Sequence, residues 1–401
     1  MKSNIWDKSV PVEENYYYHK GDPFLLTYKK TPKNNLFNLV DLFCGCGGFS
    51  VGFQMAGFQT ITGCDIHPPS IETFQRNHPT ANMITGDIKN LTDYSILKST
   101  NGFKVNVITA GVPCQGFSLN NRKRNSDDKR NFLFLEFIRV IKILDPDVVV
   151  LENVSGLAST AKGGFKLDII KSLTDCGYNT DVSIINSADF GVPQKRKRIF
   201  FVGTKQNFKF LWPKETHGFG INGLKQWITV WEAIGDLPQI NSSEHANKYV
   251  TEPFTEYQKW ARGNEKDLTN HVAPNHPPET IEKIKVTKPG QPIYPDFKQR
   301  IRLHPDLPSP TQVSGGIRPQ FQFGHPKSNR GLTIRERCRL QSFPDNFYIT
   351  GGVTQGRVQT GNAVSPLVAF SLALQIKNTL LKLPISPLAK PIKPKQMILF
   401  E

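Results

Sequence analysis

The chain has 401 residues, 38% of them hydrophobic and 10% aromatic, enough to bury a large core and to exclude a disordered or low-complexity polymer. Its net charge of +16 is self-repelling unless a polyanion uses it, so nucleic acid is the partner to expect. No apolar run approaches the roughly 20 residues that cross a bilayer, and Met1–Val10 lacks the apolar stretch of a signal peptide, so no membrane partner and a cytoplasmic location are expected.

From residue 36 onward, short apolar runs alternate with helical spacing. Phe37–Phe43 reads as a strand, Cys44–Gly48 as a glycine-rich turn, and the residues through Ala56 as a helix. Gln59–Cys64 is a second strand and Pro68–Asn77 a helix; Lys104–Ala110 is a further strand. Phe132–Leu144 is helical, Val148–Leu151 a buried strand, Phe165–Cys176 helical, and Val182–Asn186 and Ile199–Val202 strands. This order predicts an α/β fold, a doubly wound and mostly parallel sheet covered on both faces.

After Gly203 the texture changes to Pro, Gly, Asn, Lys and aromatics, which predicts a second, smaller and irregular domain over 204–334. Helical spacing returns at Arg335–Gln341, and Ser365–Leu381 reads as a long apolar helix able to pack back on the first sheet. The division expected is an N-terminal extension (1–35), a first domain (36–203), a second domain (204–334), a return to the first (335–383), and a Pro- and Lys-rich extended tail (384–401).

Several residues carry chemistry. The first strand runs into Phe43-Cys44-Gly45-Cys46-Gly47-Gly48, and a glycine turn between strand and helix lets a ligand approach the backbone. The spacing lacks the third glycine of a dinucleotide fingerprint and suits a nucleoside ligand without pyrophosphate, such as S-adenosylmethionine. Asp65, at the end of the second strand, and Asp87, after the third, could hold ribose and adenine; each could instead merely cap the helix that follows. Cys114 follows the next strand in Gly111-Val112-Pro113-Cys114-Gln115, at the sheet edge that faces a ligand crevice. A lone cysteine there reads as a buried thiol; Glu152, at the end of the neighbouring strand, makes it a candidate nucleophile beside a candidate acid. The six cysteines form no Cys-x-x-Cys pair, and no metal is expected.

Taken in order, these segments resemble the DNA cytosine-5 methyltransferases of bacterial restriction-modification systems. The resemblance is carried by the Phe43–Gly48 loop, Pro113-Cys114-Gln115, Glu152-Asn153-Val154, and Gln194-Lys195-Arg196-Lys197-Arg198. It continues through Arg335-Glu336-Arg337, Gln341-Ser342-Phe343-Pro344 and Gly361-Asn362-Ala363-Val364, and spans about residues 36 to 381. It implies an S-adenosylmethionine-dependent methyltransferase fold, with S-adenosylhomocysteine as product. The Cys114 thiolate would attack carbon 6 of a cytosine flipped out of double-stranded DNA, and Glu152 would hold ring nitrogen 3. Arg198 would contact the cytosine carbonyl or support the pocket, and Arg196 would contact base and cysteine. Phe43, Gly45, Gly47, Asp65, Ile66, Asp87, Ile88, Pro113 and Asn362 would line the cofactor site. Ile66 stands where some relatives carry an aromatic.

The segment Asn121–Asn131 would close over DNA, with Arg122, Lys123, Arg124, Lys129 and Arg130 on phosphates. The resemblance places sequence reading in 204–334, as a target-recognition domain; Arg318, Gln320 and Gln322 are the base-reading candidates. The tail Gln396-Met397-Ile398-Leu399-Phe400 resembles a peptide that docks on the replication sliding clamp. A monomer is expected, with a cognate restriction endonuclease as a possible companion in the cell. The competing readings are an amino-methyltransferase, for which His67-Pro68-Pro69-Ser70 is a poor match, an RNA methyltransferase, and an inactive DNA-binding regulator.

Overall fold

The computed structural model describes residues 16–18, 25–28, 37–113, 132–157, 164–205, 210–314 and 321–381. The expectations for Cys114, Arg122, Lys123, Arg124, Lys129, Arg130, Arg318, Gln320 and the tail 384–401 concern residues outside this set. Nine strands form the main sheet: β1 (Tyr16–Tyr18), β2 (Leu25–Tyr28), β3 (Phe37–Leu42), β4 (Phe58–Asp65), β5 (Asn82–Thr85), β6 (Val107–Ala110), β7 (Val148–Val154), β8 (Asn179–Asn186) and β10 (Lys197–Thr204). Gln194–Lys195 (β9) and Ser309–Pro310 (β11) form a separate parallel ladder.

The order across the sheet is β1-β2-β5-β4-β3-β6-β7-β10-β8. The central strands β5, β4, β3, β6 and β7 are parallel, as the alternation of strands and helices requires. β10 enters antiparallel between β7 and β8. The reason is the link from β8 to β10, which is too short for a parallel crossover. The doubly wound α/β reading therefore holds, with antiparallel margins. The N-terminal segment supplies one of them: β2 pairs antiparallel with β5, a contribution its polar, aromatic sequence did not signal.

Successive residues of the strands go to opposite cores. Val40, Leu42, Ile108, Ala110, Val149, Leu151 and Phe201 join one face; Leu39, Val107, Val148, Val150, Phe200 and Val202 join the other. Helices cover both faces: α1 (Gly48–Met55), α2 (Pro68–Asn77), α3 (Asp93–Ser99), α4 (Phe132–Leu144) and α5 (Gly164–Asp175) come from the first half of the chain. Three shorter helices follow, α6 (Val230–Ile234), α7 (Glu256–Arg262) and α8 (Pro278–Val286), then α9 (Ile334–Leu340), α10 (Gly352–Asn362) and α11 (Pro366–Leu381).

α11 does pack back on the first sheet. Val368, Ala369, Leu372, Ala373 and Ile376 lie in the same core as Phe49 and Phe53 of α1. Glycine makes the approach possible: a Cβ on Gly52 would sit 2.4 Å from the Pro366 carbonyl oxygen and 2.5 Å from Ala369 Cβ. Val230, Ile234, Leu237, Tyr257, Leu303, Phe323, Leu332 and Leu340 build a separate core for the later region. A buried ion network ties α9 into it. Arg339 donates to Asp345 Oδ1 at 2.7 Å and Oδ2 at 2.6 Å, and to Asp236 Oδ1 at 2.9 Å. Asp345 is held below the usual carboxylate range by Arg339, against the opposing effect of its burial.

Asp41, on β3, is fully buried and accepts from Ser50 Oγ at 2.7 Å and Thr109 Oγ1 at 2.8 Å, tying β3 to α1 and β6. Burial pushes its carboxyl up from 3.8 to about 7. The folded state thus holds a proton that the unfolded chain has released, and stability falls as pH rises from about 4 through 7. Urea unfolding at pH 5 and pH 8 is expected to show that slope in the wild type and a shallower one in Asp41→Asn. Gly52→Ala is expected to cost about 1–3 kcal/mol, read as a lowered urea midpoint, because α11 must move away from α1.

Candidate active site

The loop after β3 begins with a strained residue. Phe43 lies just past the strand with φ 52°, a left-handed conformation uncommon outside glycine. Gly45 and Gly47 follow at φ 54° and 99°, which the sequence expectation of a glycine turn anticipates. Above Gly45 the space is open, with no atom within 4 Å of where a Cβ would stand. Gly48 is needed for a different reason: a Cβ there would lie 2.1 Å from the Val364 carbonyl oxygen. The Gly361–Val364 segment therefore closes against the glycine loop, although more than 300 residues separate them in the chain.

Asp65 ends β4 beside this loop. Its Oδ2 accepts from Gly45 N–H and its Oδ1 from His67 N–H, both at 2.8 Å. It thus caps the turn into α2 and fastens the glycine loop at once, and burial raises its carboxyl above the usual range. Asp87 caps the short 3-10 turn Ile88–Asn90, accepting from Lys89 N–H at 3.1 Å. The capping alternative is what its local geometry shows. Ile66 is 63% exposed and Phe43 half-buried, two apolar side chains just past the ends of β4 and β3; Ile88 is buried. Asn362 and Pro113 are exposed.

The second cluster lies at the ends of β6, β7 and β10. Glu152 sits inside β7, opposite Phe200, one residue past the expected strand end. That position excludes a helix-capping role. Arg198 Nε pairs with Glu152 Oε1 at 2.9 Å. The other oxygen, Oε2, is 3.8 Å from where a Cβ on Gly111 would stand, so the carboxylate faces the segment that leads into Cys114. Asn153 Nδ2 donates to the Val112 carbonyl at 3.4 Å and steadies the same segment. Glu152 is buried, and a carboxylate paired on one oxygen, with the other unpaired among the described residues, can hold a heterocyclic N–H.

Arg196 departs from its expected role. Its guanidinium is buried: NH1 donates to the Gln312 carbonyl at 3.0 Å and NH2 to the Gly361 carbonyl at 2.9 Å, while Nε has no partner among the described residues. Burial and the neighbouring Arg198 and Arg337 push it down to about 9, so it stays charged at neutral pH. With both ends engaged it is a clamp between segments, whereas the sequence reading put it on base and cysteine. Gln322 departs likewise. It is buried, and its amide is engaged with its own chain, accepting from Val313 N–H at 2.9 Å and donating to the Thr311 carbonyl at 3.0 Å.

Sequence reasoning missed a third group, the buried amides between the two halves. Gln194 Nε2 donates to Gln341 Oε1 at 2.5 Å, and Gln341 Nε2 donates to the Ala363 carbonyl at 2.6 Å. Gln194 Oε1 accepts from Gln312 N–H at 3.0 Å. Their motifs were noticed, but nothing in a linear sequence shows which amides face one another across 100 residues or more.

The arrangement is thus an open, apolar-lipped corner at the ends of β3 and β4, next to a carboxylate–guanidinium pair at the ends of β6, β7 and β10. Comparison with known proteins bears on what it serves. The family profile described as C-5 cytosine-specific DNA methylase matches residues 37–378. Among curated relatives, the Type II methyltransferase M1.HphI of Haemophilus parahaemolyticus is 36% identical over 346 residues, covering 83% of this chain and 85% of that one. The Type II methyltransferase M.DdeI of Desulfomicrobium norvegicum is 35% identical, covering 84% and 88%. A crystal structure of a candidate DNA modification methyltransferase encoded within an Escherichia coli prophage superposes with a TM-score of 0.72 at 25% identity, covering 86% of this chain and 99% of that one. With the ordered motifs, the matching fold and this span, the chain belongs to the C-5 cytosine-specific DNA methylase family and is a DNA (cytosine-5-)-methyltransferase.

Proposed function

We propose that this enzyme methylates carbon 5 of a cytosine flipped out of a specific double-stranded DNA sequence, through a covalent bond to Cys114, as the modification half of a restriction-modification system. The observation that carries the reading is the Glu152–Arg198 pair, whose carboxylate faces Gly111, three residues before Cys114. Residues 36–203 and 335–383 would form the catalytic domain, and 204–334 the target-recognition domain.

The corner beside the glycine loop fits S-adenosylmethionine. Phe43 and Ile66 offer apolar faces to adenine, Asp65 a carboxylate at ribose depth, and Asp87 and Ile88 the edge of the site. The open space above Gly45 accommodates the ligand, and Pro113 and Asn362 flank the methionine end. Bound there, S-adenosylmethionine would supply an electrophilic methyl group and leave as S-adenosylhomocysteine.

Cytosine is weakly nucleophilic at carbon 5 because its ring is aromatic and neutral. Addition of the Cys114 thiolate to carbon 6 forms an S–C bond and moves the ring's electron pair to carbon 5. Glu152 stabilises this step by holding a proton at ring nitrogen 3, where charge develops. Arg198, paired with Glu152 on one side, is placed to orient that carboxylate and to meet the cytosine carbonyl. Carbon 5 would then take the methyl group, its electron pair forming the new C–C bond as the donor sulfur leaves; loss of the carbon 5 proton to solvent expels the thiolate and restores the ring. The base reaches the pocket only by leaving the duplex stack, at a cost of a few kcal/mol. Arg122, Lys123, Arg124, Lys129 and Arg130 would hold the phosphates around it, with Arg318 and Gln320 as base readers.

Methyl transfer from radiolabelled S-adenosylmethionine to DNA is expected for the wild type and not for Cys114→Ala; transfer by the alanine variant, or transfer to RNA alone, overturns the reading. Glu152→Gln is expected to lower kcat about 10²–10⁴-fold with DNA binding kept, measured by single-turnover methylation and gel shift. The peptide Gln396–Phe400 is proposed as a sliding-clamp anchor, and removing residues 396–401 is expected to abolish recovery of the enzyme on immobilised clamp; equal recovery without them ends that idea.

A further inference from the structure

Residues 311–313 follow the short β9–β11 ladder, and side chains then hold their backbone. Five successive groups are met in this way. The Thr311 carbonyl accepts from Gln322 Nε2 at 3.0 Å, Gln312 N–H donates to Gln194 Oε1 at 3.0 Å, and the Gln312 carbonyl accepts from Arg196 at 3.0 Å. Val313 N–H donates to Gln322 Oε1 at 2.9 Å and the Val313 carbonyl accepts from Arg337 at 3.2 Å.

The Gln322 amide bonds the carbonyl of residue 311 and the N–H of residue 313, skipping 312. One residue of a parallel strand makes the same pair of bonds with its neighbour. Gln194 and Arg196 serve the opposite edge of residue 312. Gln322 is itself held firmly, because Phe321 and Phe323 on either side are buried in two different hydrophobic cores. The Val313 side chain stays 40% exposed while its backbone is gripped on both sides. The segment cannot slide toward α10 either, since a Cβ on Gly361 would already lie 2.3 Å from the Val313 carbonyl carbon.

We propose that Gln322 is a positioning residue for sequence recognition: its side-chain amide takes the place of a strand partner and fixes residues 311–313 in one register against β9 and Arg196. β10 begins one residue after Arg196 and carries Arg198, which meets Glu152. The distance from the recognition segment to the cytosine pocket is then set by a single strand and a few hydrogen bonds. Loosening that register degrades the choice of sequence and leaves the chemistry alone. This rests on the reading above, that the cytosine is held at Glu152 and that 204–334 selects the sequence.

The test uses the full chain and a duplex DNA library randomised around cytosines, methylated in vitro and read by bisulfite sequencing. A wild type that methylates no motif overturns the proposed function itself, before any variant is compared. Gln322→Met keeps the side chain's length and removes both amide bonds. Its methylation ratio between the motif and single-base variants is expected to fall about tenfold. The saturating rate on the motif and S-adenosylmethionine affinity are expected to stay close to wild type, with the unfolding midpoint somewhat lowered by the two lost bonds. An unchanged ratio overturns the proposal. So does an equal loss on all sequences with a lowered midpoint, which is the mark of a merely structural residue. Gln322→Glu, which keeps the acceptor toward Val313 N–H and loses the donor toward Thr311, is expected to fall between the two; should the methionine variant fail to fold, an unchanged ratio in the glutamate variant overturns the proposal alone.

Discussion

A guanidinium removed from water must be given oxygens, and Arg196 shows what that demand does to the molecule. It sits between β9 and β10, where a charged group without partners would be costly by several kcal/mol. Its oxygens come from Gln312 and from Gly361, segments 116 and 165 residues away. Giving oxygens to two of its nitrogens draws the later region and the C-terminal return onto the stretch between β9 and β10. Arg337 repeats the device from α9, donating to Thr360 Oγ1 at 2.9 Å and to the Val313 carbonyl.

Two close backbone contacts complete that assembly. Gly48 and Gly361 each leave no room for a Cβ, the first against Val364 and the second against Val313 and Ser314. The glycine loop, the Gly361–Val364 turn and residues 311–314 thus form one continuous backbone stack. The carboxylate–guanidinium pair of Glu152 and Arg198 stands at its edge, held by the antiparallel register of β7 and β10. The glycine-loop corner and the Glu152–Arg198 pair are joined through packing in which glycine is required at the contacts.

Much of this was legible in the chain itself. Most of the strand and helix order from Phe37 to Val202 follows from apolar periodicity, because each core strand needs two buried faces and each helix one; the helix Asp93–Ser99 was not read. The boundaries were less legible. Glu152 belongs to β7, although hydrophobicity drops at Leu151, because pairing with β10 extends the strand beyond its apolar run. The pairing of β2 with β5 had no apolar signature at all. Asp87 shows the limit for single residues: an acid after a strand is equally a cap or a ligand contact, and only the Lys89 N–H in place shows the cap.

The sequence by itself determined the layered α/β plan, the glycine loop, the candidate nucleophile and acid, and the ordered motifs that identify the family. These depend on local periodicity, on turn chemistry and on residue types at fixed spacing. Only the tertiary structure decided what Arg196 and Gln322 do. Both belong to residue types that read nucleic acid when exposed, and both are turned inward to bond backbone contributed by segments close only in space. Hydrogen-bond partners of buried polar groups are chosen by the packing of distant elements, and a linear pattern carries no record of that choice.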